Sequence, residues 1–508
     1  MASADIVLTG LAANDPVPGV YVEENFAQGP AAGDSSPREV LLMGNKTSSG
    51  SAVADTQVYG PDTQVPLQTE QDCINLFGAG SELHRMFRRF TTINRTTTLR
   101  AIAVTASAGA AATGVITIAT AATGSGNLRI WIGDTVIDTA VLQGDSVTSV
   151  AASAVLNINA QTFLPVTAGA VAGVLTLTAK NAGPRGNLIR FQTAITSGIG
   201  MTATGSADAY MSGGATADSN ATALGTILST KYYRIVPAAV DSTQLLALCT
   251  QVGIQAQPVS GMVQRVIAGS VDTLANAITL ATGLNNARAE ISWSKFSPWT
   301  PAELAANMAA IVSLYEDVAG PNPRCNFAGF GNDATTQPFW VVPASRDTSA
   351  SPTRTDVKSA LNNGLSPIGV NPNRSTYLVN RITTRSLSGV VQDYRIRDSH
   401  KVTIVDFFSD DLKAKTQLQH SGKKIANDPP KGAHPPGPTV VTPTIYRGTI
   451  FGLIDQYDAN DLLQDVVTIK ANTIVKRGNA NTTQMQARIP LDTIDCCFQF
   501  AIAVDQVG

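Results

Sequence analysis

Four histidines, His84, His400, His420 and His434, are all the imidazoles this chain offers for proton transfer near neutral pH. Nucleophilic catalysis needs such a base beside an activated hydroxyl or thiol. None of the four neighbours a motif such as G-x-S-x-G, and each stands in a charged or loop-like setting, so solvated surface side chains are expected. In "ELHRMFRRF", His84 with Arg85, Arg88 and Arg89 could hold a phosphate; a solvated helix end or a contact between subunits is the simpler expectation. "GNKTSSG" at 44–50 lacks the G-x-x-x-x-G-K-[ST] order in which backbone amides and a lysine surround phosphates. "GFG" at 329–331 is only a fragment of a dinucleotide fingerprint. Asp455, Asp458, Asp461 and Asp465 have neither the spacing nor the turn glycine of a calcium loop, so a solvated turn with helix caps is expected. The sequons at Asn45, Asn94 and Asn481 carry meaning only in a secreted chain. No catalytic, cofactor-binding or metal-ligating set emerges, and no cofactor is expected.

The elements that would position any such site come from a chain of 508 residues, longer than one hydrophobic core usually supports. Hydrophobic residues make up 44% and charged residues 15%, with a net charge of -2, which excludes a disordered chain and a generally basic nucleic-acid binder. Cys73, Cys249, Cys325, Cys496 and Cys497 show no C-x-x-C spacing and read as small buried apolar residues of a reducing compartment. The first 20 residues carry two aspartates and no basic stretch, so no signal peptide is expected. Residues 101–128 are uncharged, but their Ala, Thr and Gly content and "GVITIAT" predict a soluble β segment rather than a membrane span.

Along the chain, "DPVPGVYVEENF" at 15–26 predicts an acidic extended segment with strand alternation at Val20, Tyr21, Val22 and Glu23. "REVLLMGNKT" predicts a buried strand, and "TEQDCINLFGAGSELHRMFRRF" a helical stretch broken near Gly78–Gly80. From 101 to 215 Ala, Thr, Gly and Ser dominate; "LRIWIGDTVID" predicts a hairpin at Gly133-Asp134, and "VLTLTAKNAGPRGNLIRFQT" two more strands around "NAGPRG". This is a compact, mostly β insert. From 231 strand and helix alternate three times, which predicts a parallel α/β sheet. Asp241 caps a helix with Leu245, Leu248, Cys249 and Val252 on one face. Thr300, Pro301 and Glu303 supply N-cap, first-turn proline and capping-box acid to a helix with an apolar stripe of Leu304, Met308, Ile311 and Tyr315, stopped by Gly320-Pro321. Further on, "RSTYLVNRITTR" is strand-like, "DFFSDDLKAKTQLQ" a polar helix, "NDPPKGAHPPGP" a surface loop and "QDVVTIKANTIVKR" a strand or strand pair. Cys496, Phe498, Phe500, Ile502 and Val504 alternate with small or polar residues as a final strand. The fold class expected is α/β, α+β overall: a parallel-sheet core, a mostly β insert, a mixed C-terminal domain and two extended arms.

The segments "PGVYVEE", "LTLTAKNAGPRGNLI", "WTPAELAANMAAIVSLYEDV" and "RIPLDTIDCCFQFAIAVDQ", in this order over nearly the whole chain, resemble the tail sheath proteins of contractile bacteriophages in the Mu-like lineage. The resemblance implies a subtilisin-like sheath domain without activity, since neither H-G-T-H nor G-T-S-M-A occurs. It implies a homo-oligomer of stacked hexameric rings around an inner tail tube, with baseplate and tail terminator proteins as further partners, no nucleic acid and no membrane insertion. The sheath belongs to the virion, is assembled in the host cytoplasm, and contracts to drive the tube through the host envelope. On this reading the boundaries are a 1–37 arm, 38–100 first core part, 101–215 outer insert, 216–370 sheath domain, 371–490 C-terminal domain and 491–508 arm. Strands donated to neighbouring copies then include Val20, Tyr21, Val22 and Glu23 at one end and Phe498, Phe500, Ile502 and Val504 at the other. The insert is expected on the outer surface as a weakly packed module. Two other classes remain open: a surface adhesin using the insert, and an α/β hydrolase.

Overall fold

The computed structural model describes residues 19–22, 39–316, 342–389, 391–393 and 395–495. The first elements are β1 (Val40–Asn45), β2 (Val58–Tyr59), α1 (Glu70–Phe77), α2 (Glu82–Ile93) and β3 (Leu99–Val104). Next come β4 (Thr113–Ala119), β5 (Gly126–Ile132), β6 (Thr135–Val141), α3 (Val147–Ala160), β7 (Val166–Val171), β8 (Val174–Ala179), β9 (Arg190–Ile195), β10 (Thr202–Ala203) and β11 (Ala209–Tyr210). The alternating stretch is α4 (Ala221–Ile227), β12 (Arg234–Pro237), α5 (Ser242–Gln255), β13 (Arg265–Ser270), α6 (Leu274–Leu284), β14 (Ala289–Trp293) and α7 (Pro301–Tyr315). It leads into α8 (Arg354–Asn362), β15 (Ser366–Val370), β16 (Thr376–Leu378), β17 (Leu387–Ser388) and β18 (Val391–Gln392). The last elements are α9 (Ser399–His420), β19 (Lys424–Ile425), β20 (Val440–Val441), α10 (Pro443–Asp458), α11 (Val466–Asn472), β21 (Ile474–Arg477) and β22 (Met485–Arg488).

The expected parallel sheet is present. Its strand order is β16-β15-β14-β13-β12-β1-β3-β2, parallel from β15 to β3, with β16 and β2 antiparallel at the edges. Both faces are covered, as the near-continuous apolar runs of its strands require. In β1, Val40 and Leu42 point into a core shared with α1, α2 and α7, while Leu41 and Met43 point into one shared with α4, α5 and α6. The capping box at Thr300 and Glu303 is formed. Helix α7 exceeds the expected stripe: Ala302, Ala305, Ala306, Ala309 and Ala310 are as buried as Leu304, because the small side chains let α2 and the sheet approach from different sides. Gly320-Pro321 lies outside the described residues.

The insert contains two four-stranded sheets, β10-β4-β8-β7 and β11-β9-β5-β6, with α3 packed on them. The hairpin at Gly133-Asp134 joins β5 to β6. The strands flanking "NAGPRG" form but do not pair: β8 joins β4 and β7, β9 joins β5 and β11, and a 3-10 turn at Pro184–Leu188 carries the chain between sheets. The expectation of weak packing fails. Ile116, Leu128, Ile130, Ile158, Leu175 and Leu177 are fully buried in the insert's own core, with the 14-residue α3 supplying a third layer.

Toward the C-terminus, Phe407, Phe408, Ile450, Leu453 and Tyr457 form another core between α9 and α10. "DFFSDDLKAKTQLQ" is helical but not polar throughout, since Phe407, Phe408 and Leu412 are buried, and its helix begins earlier, at Ser399, with Val402 and Ile404 buried as well. "QDVVTIKANTIVKR" departs from expectation: Val466–Asn472 is helical and only Ile474–Arg477 is strand, so the packing of Ile469 overrides the β-branched preference of its neighbours. The proline-rich loop at 427–438 is irregular and largely exposed.

Candidate functional site

In open parallel α/β sheets, ligands enter at the carboxyl ends of the strands. Here the insert packs on that end at β1 and β13. At the end of β1 the Asn45 amide N–H donates to Glu82 Oε2 at 3.0 Å, and its side chain donates to Val104 O at 2.9 Å. Arg185, from the turn between the insert's sheets, donates to Asn45 Oδ1 at 2.7 Å and to Glu82 Oε2 at 2.5 Å, and pairs with Asp218. Tyr210 donates its hydroxyl to Val271 O, just beyond β13, at 2.9 Å. The space left among Glu82, Arg85, Arg185 and Thr300 is about 10 Å³, no more than a single water needs.

A second fastening lies between α2, α7 and the β5–β6 turn. Arg85 donates to Glu303 Oε2 and to Thr300 Oγ1, each at 3.0 Å. Arg89 reaches Glu303 Oε1 at 3.1 Å and both oxygens of Asp134 at 2.8 Å, with its guanidinium 4.2 Å from the Trp299 ring centroid. Trp299 Nε1 completes the set by donating to Asp134 at 2.7 Å. Burial opposes ionisation of Glu303, yet Arg85, Arg89 and the Thr300 groups hold its carboxyl down at about 2. Lys180 donates to Thr162 O at 2.6 Å and Ala79 O at 3.1 Å; burial, with Arg85 adding to it, lowers its ammonium to about 8.

The amino ends of the strands carry a larger charge cluster. Arg234 and Arg265 begin β12 and β13, Arg288 precedes β14, and Glu290 is the second residue of β14. Arg381 binds Glu290 through Nε and Nη2 at 2.6 and 2.8 Å and also pairs with Glu316. Arg265 meets Glu290 at 2.8 Å, and Arg234 meets Glu316 at 2.6 Å. The cluster is tied to α9: Arg265 donates to Ser399 O at 2.8 Å, Thr403 donates to Glu316 at 3.1 Å, and Arg288 pairs with Asp406 at 2.9 Å. Burial lowers Arg265 to about 10, while Glu290 and Glu316 are held low against their own burial by the surrounding guanidinium groups. Beside it lies a cavity of about 310 Å³, lined by Tyr233, Val263, Phe407 and Lys231 paired with Asp410.

The expected solvated histidines are corrected in part. His84 is 1% exposed, accepts from the Gly80 N–H at 2.9 Å and meets Glu70 at 3.1 Å, because the insert and the α1–α2 turn cover that side of α2. Burial lowers its pKa against the pull of Glu70. With Arg85 and Arg89 on Glu303 and Arg88 on Glu70, this grouping is engaged within the chain. His400 is also buried, His420 half-buried and His434 exposed. Lys46 bends back onto Gly50 O at 2.8 Å. Asp455 pairs with Lys470, and Asp465 stands at the N-cap of α11 without making a side-chain cap. Asn45 and Asn94 are buried. Cys73 and Cys249 are buried too, and burial pushes the Cys249 thiol up to about 12. Val20, Tyr21 and Val22 are half-buried and form no strand. Glu23, Phe498, Phe500, Ile502, Val504, Cys325, Cys496, Cys497 and the "GFG" at 329–331 lie outside the described residues.

The buried charge cluster was not anticipated from the sequence. Its signal is an arginine leading or beginning three successive apolar runs, "RIVP", "RVIAG" and "RAEISW". Together these features define a class: an α/β protein whose parallel sheet is fastened, among the described residues, to the insert at its carboxyl end and to α9 at its amino end.

No family model matches the chain. A curated relative, the Mu-like prophage FluMu tail sheath protein of Haemophilus influenzae, is 31% identical over 174 residues, a match spanning 34% of this chain and about a third of the relative's length, 34%. The resemblance read from the quoted segments is thus found again by direct comparison. Among solved structures, a sheath tail protein of Listeria innocua is 11% identical with a TM-score of 0.47 over 94% of this chain and 97% of that one. One of Desulfitobacterium hafniense is 10% identical with a TM-score of 0.45 over 94% and 100%. The contracted helical sheath of the anti-feeding prophage is 11% identical with a TM-score of 0.46 over 97% and 99%.

Proposed function

We propose that the chain is a structural, non-enzymatic subunit of a contractile tail sheath, and that copies of it polymerise as stacked hexameric rings around an inner tube. One observation carries the reading against a hydrolase. At the carboxyl end of the sheet, where an α/β enzyme would bind substrate, the insert packs onto the end of β1 and the start of α2 and leaves about 10 Å³ among Glu82, Arg85, Arg185 and Thr300. The match to a tail sheath protein supports the positive half.

In this reading the 1–37 and 491–508 arms leave their own subunit. Val20, Tyr21, Val22 and Glu23, and Phe498, Phe500, Ile502 and Val504, add strands to neighbouring copies, with backbone hydrogen bonds giving affinity and alternate side chains fixing register. The remaining boundaries are those at 38–100, 101–215, 216–370 and 371–490. Partners are the inner tube, baseplate and tail terminator proteins; the location is the virion, with assembly in the host cytoplasm. No described helix is long and apolar enough to cross a membrane. Negative-stain electron microscopy of the purified chain, alone and with inner tube, tests the reading. Striated tubes are the expected result, and dispersed particles under both conditions would overturn it.

A further inference from the structure

Helices α4, α5 and α6 form one layer on the sheet, and not one of their residues is charged, in a chain with 15% charged residues. A layer facing water would carry charges on its outer side. This one presents Leu228, Leu246, Ile254 and Val259 among Ser, Thr, Ala and Gly, with Ile254 49% exposed. A second observation is independent of charge. Gly225, Gly253 and Gly283 lie one on each helix; none has the positive φ that requires glycine, and a Cβ at any of them would meet nothing within 4 Å. Glycine in a helix weakens it relative to alanine, so nothing among the described residues of the single chain gives a reason for these three. Close approach of another backbone does.

The insert has a face of the same kind. From Ser146 to Ala179 no residue is charged, and the outer side of α3 and β7 exposes Leu156 at 72% and Val171, with Gly169 again facing open space. Two neutral faces on one chain fit a contact in which neither side buries an unpaired charge, and two different patches on one subunit make a heterologous, propagating contact. An acidic or basic partner would find nothing to pair with on either face.

We propose that the α4–α6 face of one copy packs against the α3–β7 face of the next, a contact separate from the donated arms; it rests on the reading that copies of this chain assemble. The test mixes two full-length variants, Ser153→Cys on α3 and Gly253→Cys on α5, with Cys325, Cys496 and Cys497 changed to Ser and the buried Cys73 and Cys249 left in place. A short bis-maleimide is added, and tubes are scored in parallel by microscopy. The expected result is cross-linked dimers from the mixture and none from either variant alone. Dimers from Gly253→Cys alone would overturn the pairing, as would tubes without cross-links. Cross-links without tubes would support the contact while counting against the sheath. Absence of both would overturn both. Separately, Gly253→Ala should raise the thermal midpoint of the dispersed subunit, and Ile254→Glu should raise the concentration needed for assembly about tenfold or more, the effect of a loss of about 1.4 kcal/mol. A lowered midpoint for Gly253→Ala would mean that the glycine serves the single fold, against the proposal.

Discussion

Charge balance in the cluster at the amino ends of β12–β14 ranks two substitutions against each other. Four guanidinium groups, Arg234, Arg265, Arg288 and Arg381, face three carboxylates, Glu290, Glu316 and Asp406. Glu290→Gln leaves four cations against two anions and removes the charge that Arg265 and Arg381 share at 2.8 and 2.6 Å. Breaking a buried pair from one side costs about 3–5 kcal/mol, and burial on all sides puts this one in the upper part of that range. Arg381→Met leaves three against three, with Arg265 still on Glu290 and Arg234 still on Glu316, so about 1–2 kcal/mol is expected for lost hydrogen bonds partly offset by apolar packing. The bulkier loss is therefore the milder one.

The assay is urea unfolding of the dispersed subunit, followed by tryptophan fluorescence, to which Trp293, fully buried on β14 three residues beyond Glu290, contributes with the chain's three other tryptophans. Both variants should lower the midpoint with an unchanged slope, Glu290→Gln by more. The double variant should fall short of the sum by at least about 1 kcal/mol, because removing Arg381 takes away one of the two cations that Glu290→Gln strands. Equal losses, or a larger one for Arg381→Met, would refute charge balance as the controlling quantity.

Three other outcomes follow from single sites. Glu303 has a folded value near 2 against an ordinary 4.5, so its contribution of about 3 kcal/mol is fully present above about pH 4.5 and lost as pH falls toward 2; Glu303→Gln should flatten acid unfolding in that window, measured by urea midpoints at stepped pH. Asn307 on α7 is 1% exposed and neither of its amide atoms has a partner among the described residues, so Asn307→Leu should raise stability by about 1–3 kcal/mol, read as a higher midpoint of unfolding. Phe500→Asp or Ile502→Asp should abolish tubes in electron micrographs while the circular dichroism of the subunit stays unchanged; normal tubes would remove the donated strand from the proposed function.

What the sequence made legible was local. The alternation of strand and helix from 231, the Thr300–Glu303 capping box and the Gly133-Asp134 hairpin each rest on residues within a few positions of one another, and each is present. What it hid was made by distance. Glu303 looks like a helix cap and is one, but its second role depends on Arg85 and Arg89, more than 200 positions earlier. His84 looks solvated among arginines until the insert is folded over it. Arg234, Arg265 and Arg288 look like polar strand ends, and only Arg381, Glu316 and α9, brought in from later in the chain, make them a buried cluster. Periodicity has no term for such meetings.

The placement of charge bears on function in its own right. A chain with 15% charged residues is poor in charge for a soluble protein, where about 25% is usual. It nevertheless buries Arg85, Arg234, Arg265, Arg288 and Arg381 at the seams between its parts. Spent there, the charges are absent from the outer sides of α3–α6, which a monomer facing water would be expected to decorate. A subunit whose outer faces are covered by its own copies has the opposite requirement: its internal joints must hold one register, and its outer faces must shed water cheaply. Buried ion clusters meet the first, since a mispaired seam would strand a charge, and neutral small-residue faces meet the second. An enzyme of the same fold would need the reverse at one place at least, an open carboxyl edge with unpaired polar groups, and that edge is where Arg185, Glu82 and Asn45 are bound to one another.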